Sequence, residues 1–311
     1  MNAETLAEWM KRQGHRVIQT FSSYWVEAGP RVYQAIPYHL LIAPSEEELS
    51  RFIREEKVVA LRYSTPLDSP LGAYSYHVVR VPGDYTLEAL PKKGRYDIRK
   101  GLGVAKVEQT SFDRLAKEGW PLRLDTLLRQ GRHEAENQGW WEKLCQSAAD
   151  LPGFETWAAI VDGKLAATLI AFQCEDHWSV FYQQSLTTYL QQGVNHALTF
   201  EFTRNICART ESADIFYGVQ SLDAPASVDE FKFRLGYMAK PVRQRVVFHP
   251  MIRPFINKVT YSSFRGIKGI LPYQAVFSKV EGLMRFYQQG KLPLDQQPLP
   301  SVLSQNNKQP A

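Results

Sequence analysis

The sequence predicts an α/β (α+β) protein built as two lobes with mixed, mainly antiparallel sheets, and three observations carry that prediction. Apolar, β-rich runs at 157–161, 165–173 and 178–184 are separated only by Asp162-Gly163 and by the polar break Glu175-Asp176. An Asp-Gly pair between such runs is a strong hairpin signal, so the segment reads as a three-strand antiparallel meander. Next, Val194, Leu198, Phe202 and Ile206 recur every fourth residue with Ala197 beside them, which lays one apolar stripe of a helix against a sheet. Finally, strand-like and helix-like stretches alternate elsewhere, and 311 residues are long for a single core.

In chain order, "AETLAEWMKRQ" is a helix and "RVYQAI" a strand. "SEEELSRFIREE" is a helix with a Ser45–Glu48 capping box, and "KVVALRYS" and "YSYHVVRV" are strands. Together they make residues 1–90 a first α/β lobe in which no catalytic constellation is visible. "PKKGRYDIRKGLGVAK" is a basic helix end, followed by the strand "VAKVEQT" and by helices at "SFDRLAKEGW" and about 122–150. The meander comes next, then a helix starting near Gly193 and Asn195. "ADIFYGVQ" is a short buried strand. "SVDEFKFRLGY" is a helix that starts at Ser227, with Glu230 three residues on, and stops at Gly236; the strand "PVRQRVVFH" closes a second lobe over 91–250.

The 44% hydrophobic and 22% charged composition is that of an ordinary globular protein. No run approaches the roughly 20 apolar residues of a membrane span, and the first residues lack the basic and apolar regions of a signal peptide, so the expected location is cytoplasmic. Cys145, Cys174 and Cys207 are odd in number and have no C-x-x-C spacing, which argues against a disulfide framework or structural zinc. His133, Glu134 and Glu136 crowd one polar stretch without a second ligand group, so no metal site is expected there, and Trp140-Trp141 reads as a packing edge. Charge is uneven. Residues 251–291 hold Arg253, Lys258, Arg265, Lys268, Lys279, Arg285 and Lys291 against Glu281, a net +6, whereas the whole chain carries +5. This basic helical extension mixes cations with Ile, Phe, Leu and Tyr. It could lie on an anionic membrane surface, which would make the protein peripheral at the inner face, or grip tRNA, or form a docked helix with a wet basic face. The Pro/Gln/Ser/Asn-rich residues 292–311 are expected to be a disordered tail.

Candidate site residues follow from spacing. Arg95 and Arg99 lie four apart, so on a helix they share a face and could clamp a phosphate; equally, they could complement the helix C-terminal dipole before Gly101 and Gly103. Tyr182, Gln183 and Gln184 end one strand, and Tyr217, Gln220 and Asp223 follow another, where α/β sheets bind ligands. Asp223 is the candidate base, preferred to Asp214, which could simply pair with Arg209.

Meander, glycine loop, helix, strand, helix and strand is the order of the GNAT acyltransferase core. "DIFYGVQS…DEFKFRLGY" with the upstream "RYDIRKGLGV" resembles the FemAB-like branch, which includes aminoacyl-tRNA-dependent peptidyl transferases and acetyltransferase-like proteins of exopolysaccharide clusters. The resemblance covers roughly 90–250 and makes 1–90 a degenerate first GNAT-like lobe. It implies transfer of an acyl or aminoacyl group from acyl-CoA or aminoacyl-tRNA to an amine of a cell-envelope or small-molecule acceptor. It also implies that Lys232, beside Phe231 and four before Gly236, stabilises charge developing at the reaction centre. Gln192, Gly193, Val194 and Asn195 fall where GNAT enzymes hold the CoA pyrophosphate on a helix N-terminus. The loop departs from the family pattern at Leu190, where Gln or Arg is wanted, and at Asn195, where a small residue is wanted. The other class open to this sequence is an inactive GNAT-like scaffold docking through its basic extension.

Overall fold

The computed structural model describes residues 1–311 apart from 133–135, 211, 213, 223–226, 258–259, 262–273 and 307–311. The chain runs α1 (Ala3–Arg12), β1 (Val17–Gln19), β2 (Tyr24–Gly29), β3 (Val32–Ile36), α2 (Glu46–Glu55), β4 (Ala60–Thr65), β5 (Ala73–Arg80) and α3 (Lys92–Leu102). It continues through β6 (Lys106–Thr110), α4 (Phe112–Glu118), α5 (Trp120–Arg129), α6 (Gln138–Gln146), β7 (Phe154–Val161), β8 (Lys164–Cys174) and β9 (His177–Ser185). After these come α7 (Thr187–Leu190), α8 (Val194–Arg209), β10 (Asp214–Val219), α9 (Ser227–Arg234), β11 (Met238–Phe248) and the helices Gln274–Gln289 and Ser301–Asn306.

Two compact units interleave along this order instead of dividing near 90 and 250. Unit 1 comprises Met1–Gly14, Val78–Gly218 and Ser227–Met238; unit 2 comprises His15–His77, Val219–Ala226 and Ala239–Ala311. Helix α1 joins unit 1 because its apolar face, with Leu6, Trp9 and Met10, is buried there. Trp9 packs its ring on Phe154 and Phe181 and donates Nε1–H to the carbonyl of Leu144 at 3.2 Å.

In unit 1, β6 to β9 form an antiparallel run and β10 joins β9 in parallel, with Asp214–Phe216 opposite His177–Ser179. The turn at Asp162-Gly163 has positive φ at both residues (50° and 76°), the hairpin geometry that the Asp-Gly pair predicts. A register shift between Ile170 and Ala171 marks a bulge at Phe181. The helical stretch expected over 122–150 is broken. Helix α5 ends at Arg129, Gly131 takes a positive φ, and α6 begins anew with Asn137 accepting from Trp140 N–H.

In unit 2, β2 pairs antiparallel with β1 and β3, β3 runs parallel to β4, and β4 pairs antiparallel with β11. One face packs α2 through Leu49, Phe52 and Ile53 on Trp25, Tyr33, Leu61 and Val247. The Ser45 hydroxyl accepts from Glu48 N–H, the expected cap of α2. The other face packs the helix Gln274–Gln289 through Leu283, Met284, Phe286 and Tyr287 on Val246 and Phe248, so this part of the basic extension is a docked helix with Lys279 and Val280 exposed. The disordered-tail expectation is corrected over 292–306. Gln297 is 8% exposed, and its amide oxygen accepts from Tyr74 N–H while its amide nitrogen donates to the Gly72 and Leu292 carbonyls. Leu303 is buried as well. A few such anchors outweigh a polar composition.

His77 in unit 2 is 3% exposed, with Nε2 at 2.8 Å from Ser64 Oγ. Burial, reinforced by His39, Lys240 and Arg62, pushes its pKa down to about 3. The unfolded chain therefore takes up a proton that the folded chain refuses, and stability falls as pH drops from the ordinary histidine range towards 3. We expect urea denaturation to show about 1 kcal/mol lost between roughly pH 7 and pH 5.5 through this group. His77→Gln, which keeps a donor near Ser64, should remove that part of the pH dependence. An unchanged slope would assign it to other groups.

Candidate functional site

The polar groups that the sequence singles out gather in unit 1 around α8. Its apolar stripe packs as expected, with Val194, Leu198 and Phe202 fully buried and Ile206 nearly so. A second stripe, Asn195, Thr199 and Thr203, runs down an adjacent side at four-residue spacing, and both threonines are fully buried. Asn195 Nδ2 donates to Ser185 Oγ at 3.0 Å. Gln183 Nε2 donates to Thr199 Oγ1 at 3.1 Å and reaches the Asn195 carbonyl at 3.5 Å. Thr199 also bonds the Tyr217 hydroxyl, and Thr203 Oγ1 lies 2.8 Å from the Tyr237 hydroxyl. The rings of Tyr217 and Tyr237 meet edge to face at 5.3 Å. Burial pushes both phenols above their ordinary pKa, so both stay protonated.

Lys232 closes this ladder from α9. Its Nζ lies 5.0 Å from the Tyr217 ring centroid and 2.8 Å from Asp229 Oδ1, and the two side chains are 13% and 11% exposed. A buried lysine on an aromatic face is held by both charge pairing and the ring quadrupole. Phe231 turns its ring onto the edge of His196 at 4.8 Å. His196 has no hydrogen-bond partner at either nitrogen among the described residues; its Nε2 lies 3.7 Å from Asp97 Oδ2 on α3. Burial lowers its pKa, with Lys93 and Arg234 in the same direction and Asp97 opposing, so the imidazole is neutral at physiological pH. Asn195 Oδ1 is likewise buried without a partner among the described residues.

The glycine loop has a structural explanation of its own. Gly193 stands at φ +80° before α8, and a Cβ there would lie 2.2 Å from the Asp97 carbonyl oxygen. A Cβ on Gly101 would lie 2.3 Å from the Gly193 carbonyl oxygen. Helix α3 thus rests backbone to backbone on the start of α8, and Gly193 is needed for that approach whatever ligand binds. Helix α8 has no side-chain cap. Gln192 donates its N–H to the Tyr189 carbonyl and Val194 is fully buried.

Gln183, Asn195, Tyr217 and Lys232 are therefore brought together, with Phe231 alongside; the remaining candidates are dispersed. Tyr182 and Gln183 point to opposite faces of the sheet, as a period of two requires. The Tyr182 ring packs among Trp9, Trp140 and Trp141 with the Arg123 guanidinium 5.0 Å from its centroid, away from α8. Gln184 donates to Thr168 Oγ1. Gln220 belongs to unit 2, where its side-chain oxygen accepts from Ser75 and its carbonyl from Arg62, in a buried network with Gln244. Arg95 donates to the Glu88 carbonyl at 2.9 Å, and Arg99 is exposed. Asp223 lies outside the described residues, as do His133 and Glu134, while Glu136 pairs with Arg123. Among the described residues no group of three His, Cys, Asp or Glu side chains could hold a metal ion. The reading from sequence missed His196, Asp97, Thr199, Thr203 and Asp229. The signal for the threonines was their four-residue spacing from Asn195; nothing in the sequence marked the His196–Asp97 approach, which joins positions 99 residues apart.

Neither a protein-family model nor a curated protein matches the sequence. Among solved structures the chain is similar to FemX, with TM-score 0.53 and 9% identity over 80% of this chain and 92% of that one. It is similar to a conserved protein of unknown function from Bacteroides thetaiotaomicron VPI-5482, with TM-score 0.53 and 14% identity over 80% and 92%. A third is the C-terminal domain of a protein assigned as a lysylphosphatidylglycerol synthetase from Agrobacterium fabrum, with TM-score 0.52 and 13% identity over 81% and 89%. At these identities the likeness is one of fold. The fold shared with these structures agrees with the GNAT-like fold expected from the order of elements and with the FemAB-like resemblance drawn from the motifs.

Gly101→Ala tests the helix contact. Alanine gains about 1 kcal/mol of helix propensity, but the overlap with a backbone oxygen that cannot swing aside costs about 1–3 kcal/mol or more. We expect a net loss of about 1–2 kcal/mol in denaturant unfolding, and a stabilised variant would show that α3 can lift away freely.

Proposed function

We propose that the chain is an acyltransferase that moves an acyl or aminoacyl group from an activated donor, acyl-CoA or aminoacyl-tRNA, to an amine acceptor. The observation that carries this reading is the largely buried Lys232, fixed between Asp229 and the Tyr217 ring in a GNAT-like fold. In a purely packing role an apolar residue of similar length would avoid the desolvation of a charge pair.

In the proposed reaction the acceptor amine attacks the donor carbonyl carbon. The carbonyl π electrons move to oxygen, the tetrahedral intermediate collapses, and the bond to the leaving oxygen or sulfur breaks. The proton lost by the amine balances the one gained by the leaving group. Lys232 stabilises the negative charge developing on oxygen. The protonated Tyr217 hydroxyl is suited to donate a hydrogen bond, not to act as base. Gln183 and Asn195 orient the acceptor. His196, neutral and without a hydrogen-bond partner among the described residues, is a proton acceptor on the same helix; Asp223 holds that role on sequence grounds alone. The departures of the loop at Leu190 and Asn195 from the pyrophosphate-binding pattern favour an ester donor over acyl-CoA. Cell-envelope or small-molecule amines remain the proposed acceptors.

Thermal shift of the purified protein against acetyl-CoA, longer acyl-CoAs and a non-hydrolysable aminoacyl-tRNA mimic identifies the donor, since a ligand bound only by the folded state raises Tm. On the donor so found, Lys232→Met/Asp229→Asn, which leaves no unpaired charge, should lower kcat about 10²–10³-fold with little change in Tm. Full turnover in that variant would refute the role of Lys232. No shift with any donor would favour the scaffold reading.

A further inference from the structure

Unit 2 holds a cationic cavity that the proposed transfer chemistry does not use. It is an open cleft of about 190 Å³ whose lining includes Glu46, Arg245, Arg253, Phe286, Tyr287 and Lys291. Glu46 is engaged by Arg245, so the cavity keeps a net positive charge. Arg253 is anchored by Nε–H donation to the Phe248 carbonyl at 2.8 Å, which uses one of its five donors. The Lys291 ammonium sits 3.8 Å from the Tyr287 ring centroid. Behind the wall, Arg243 is 4% exposed and donates to the carbonyl of Gly72, another lining residue, while its Nη2 has no partner among the described residues. Like charges gathered round one cavity repel one another, and an oxyanion relieves that repulsion.

The neighbours of Arg253 give the source of the oxyanion. Arg253 opens the short 3₁₀ turn Arg253–Phe255, in which Phe255 is 70% exposed and nearby Met251 is 76% exposed. Large apolar side chains flanking a cation suit a lipid–water boundary, where the apolar groups enter the acyl margin and the cation meets phosphate. A small soluble phosphate ester would give Met251 and Phe255 nothing to bury against. Among the described residues of 251–291, Arg253, Lys279, Arg285 and Lys291 stand against Glu281 as the one acid. No helix among the described residues is long and apolar enough to cross a membrane, so any attachment through this surface is peripheral.

We propose that this end of unit 2 docks on an anionic phospholipid surface, with a lipid phosphate in the Arg245–Arg253–Lys291 cavity and Met251 and Phe255 in the headgroup–acyl boundary. The test is co-sedimentation of the full chain with vesicles of phosphatidylglycerol and phosphatidylcholine, or of phosphatidylcholine alone. Binding should require phosphatidylglycerol and weaken with salt. Arg253→Ala/Lys291→Ala should weaken it about 30-fold, and Met251→Ser/Phe255→Ser should weaken it with Tm unchanged. Equal binding to neutral vesicles, binding unaffected by these variants, or no vesicle binding would each overturn the proposal. A thermal shift with inorganic phosphate but no vesicle binding would reassign the cavity to a soluble phosphate, and retention of tRNA without vesicle binding would reassign the surface to nucleic acid. None of these variants touches the Lys232 cluster, so failure here leaves the transferase reading standing.

Discussion

Unit 1 depends on one close approach, the backbone of α3 against the first turn of α8. Glycine at both 101 and 193 lets two helices meet at carbonyl distance, where any Cβ would collide with a main-chain oxygen. The contact gives α8 a second covered side. On a different side α8 buries Thr199 and Thr203, which must find partners within the protein. Gln183, Tyr217 and Tyr237 are those partners, so α8 carries the helix contact on one side and the polar ladder on another.

The ladder in turn sets the chemistry open to the site. Buried tyrosines keep their protons and a buried histidine loses its own, so the groups around α8 are sorted into donors and an acceptor by desolvation. Lys232 keeps company with Asp229, and a charge pair held on an aromatic face loses little freedom when charge develops nearby. Unit 2 follows a different logic. Its buried Arg62–Gln220–Gln244 network satisfies itself internally, while Arg245, Arg253 and Lys291 line a separate cavity.

Much of this was legible from residues in order. The meander was readable because Asp162-Gly163 permits only a tight hairpin, and α2 because Ser45 and Glu48 mark its start. The stripe Val194–Leu198–Phe202–Ile206 fixed the orientation of α8. The break in the predicted helix over 122–150 was not readable, because no proline interrupts it and the stop at Gly131 is a local positive-φ turn. Nor was the order in 292–306, where a single glutamine with three backbone partners anchors a polar segment.

By itself the sequence determined the elements and the fold class, since periodicity, caps and turn residues act over a few neighbours. It also determined the charge asymmetry, which is a property of composition. The tertiary structure alone decided which candidates share a site, because that depends on side-chain direction and on contacts between distant positions. Tyr182 turned away from its neighbour Gln183 by the pleat of a strand; Gln220 went to another unit; and His196 met Asp97 only because two glycines let α3 settle on α8.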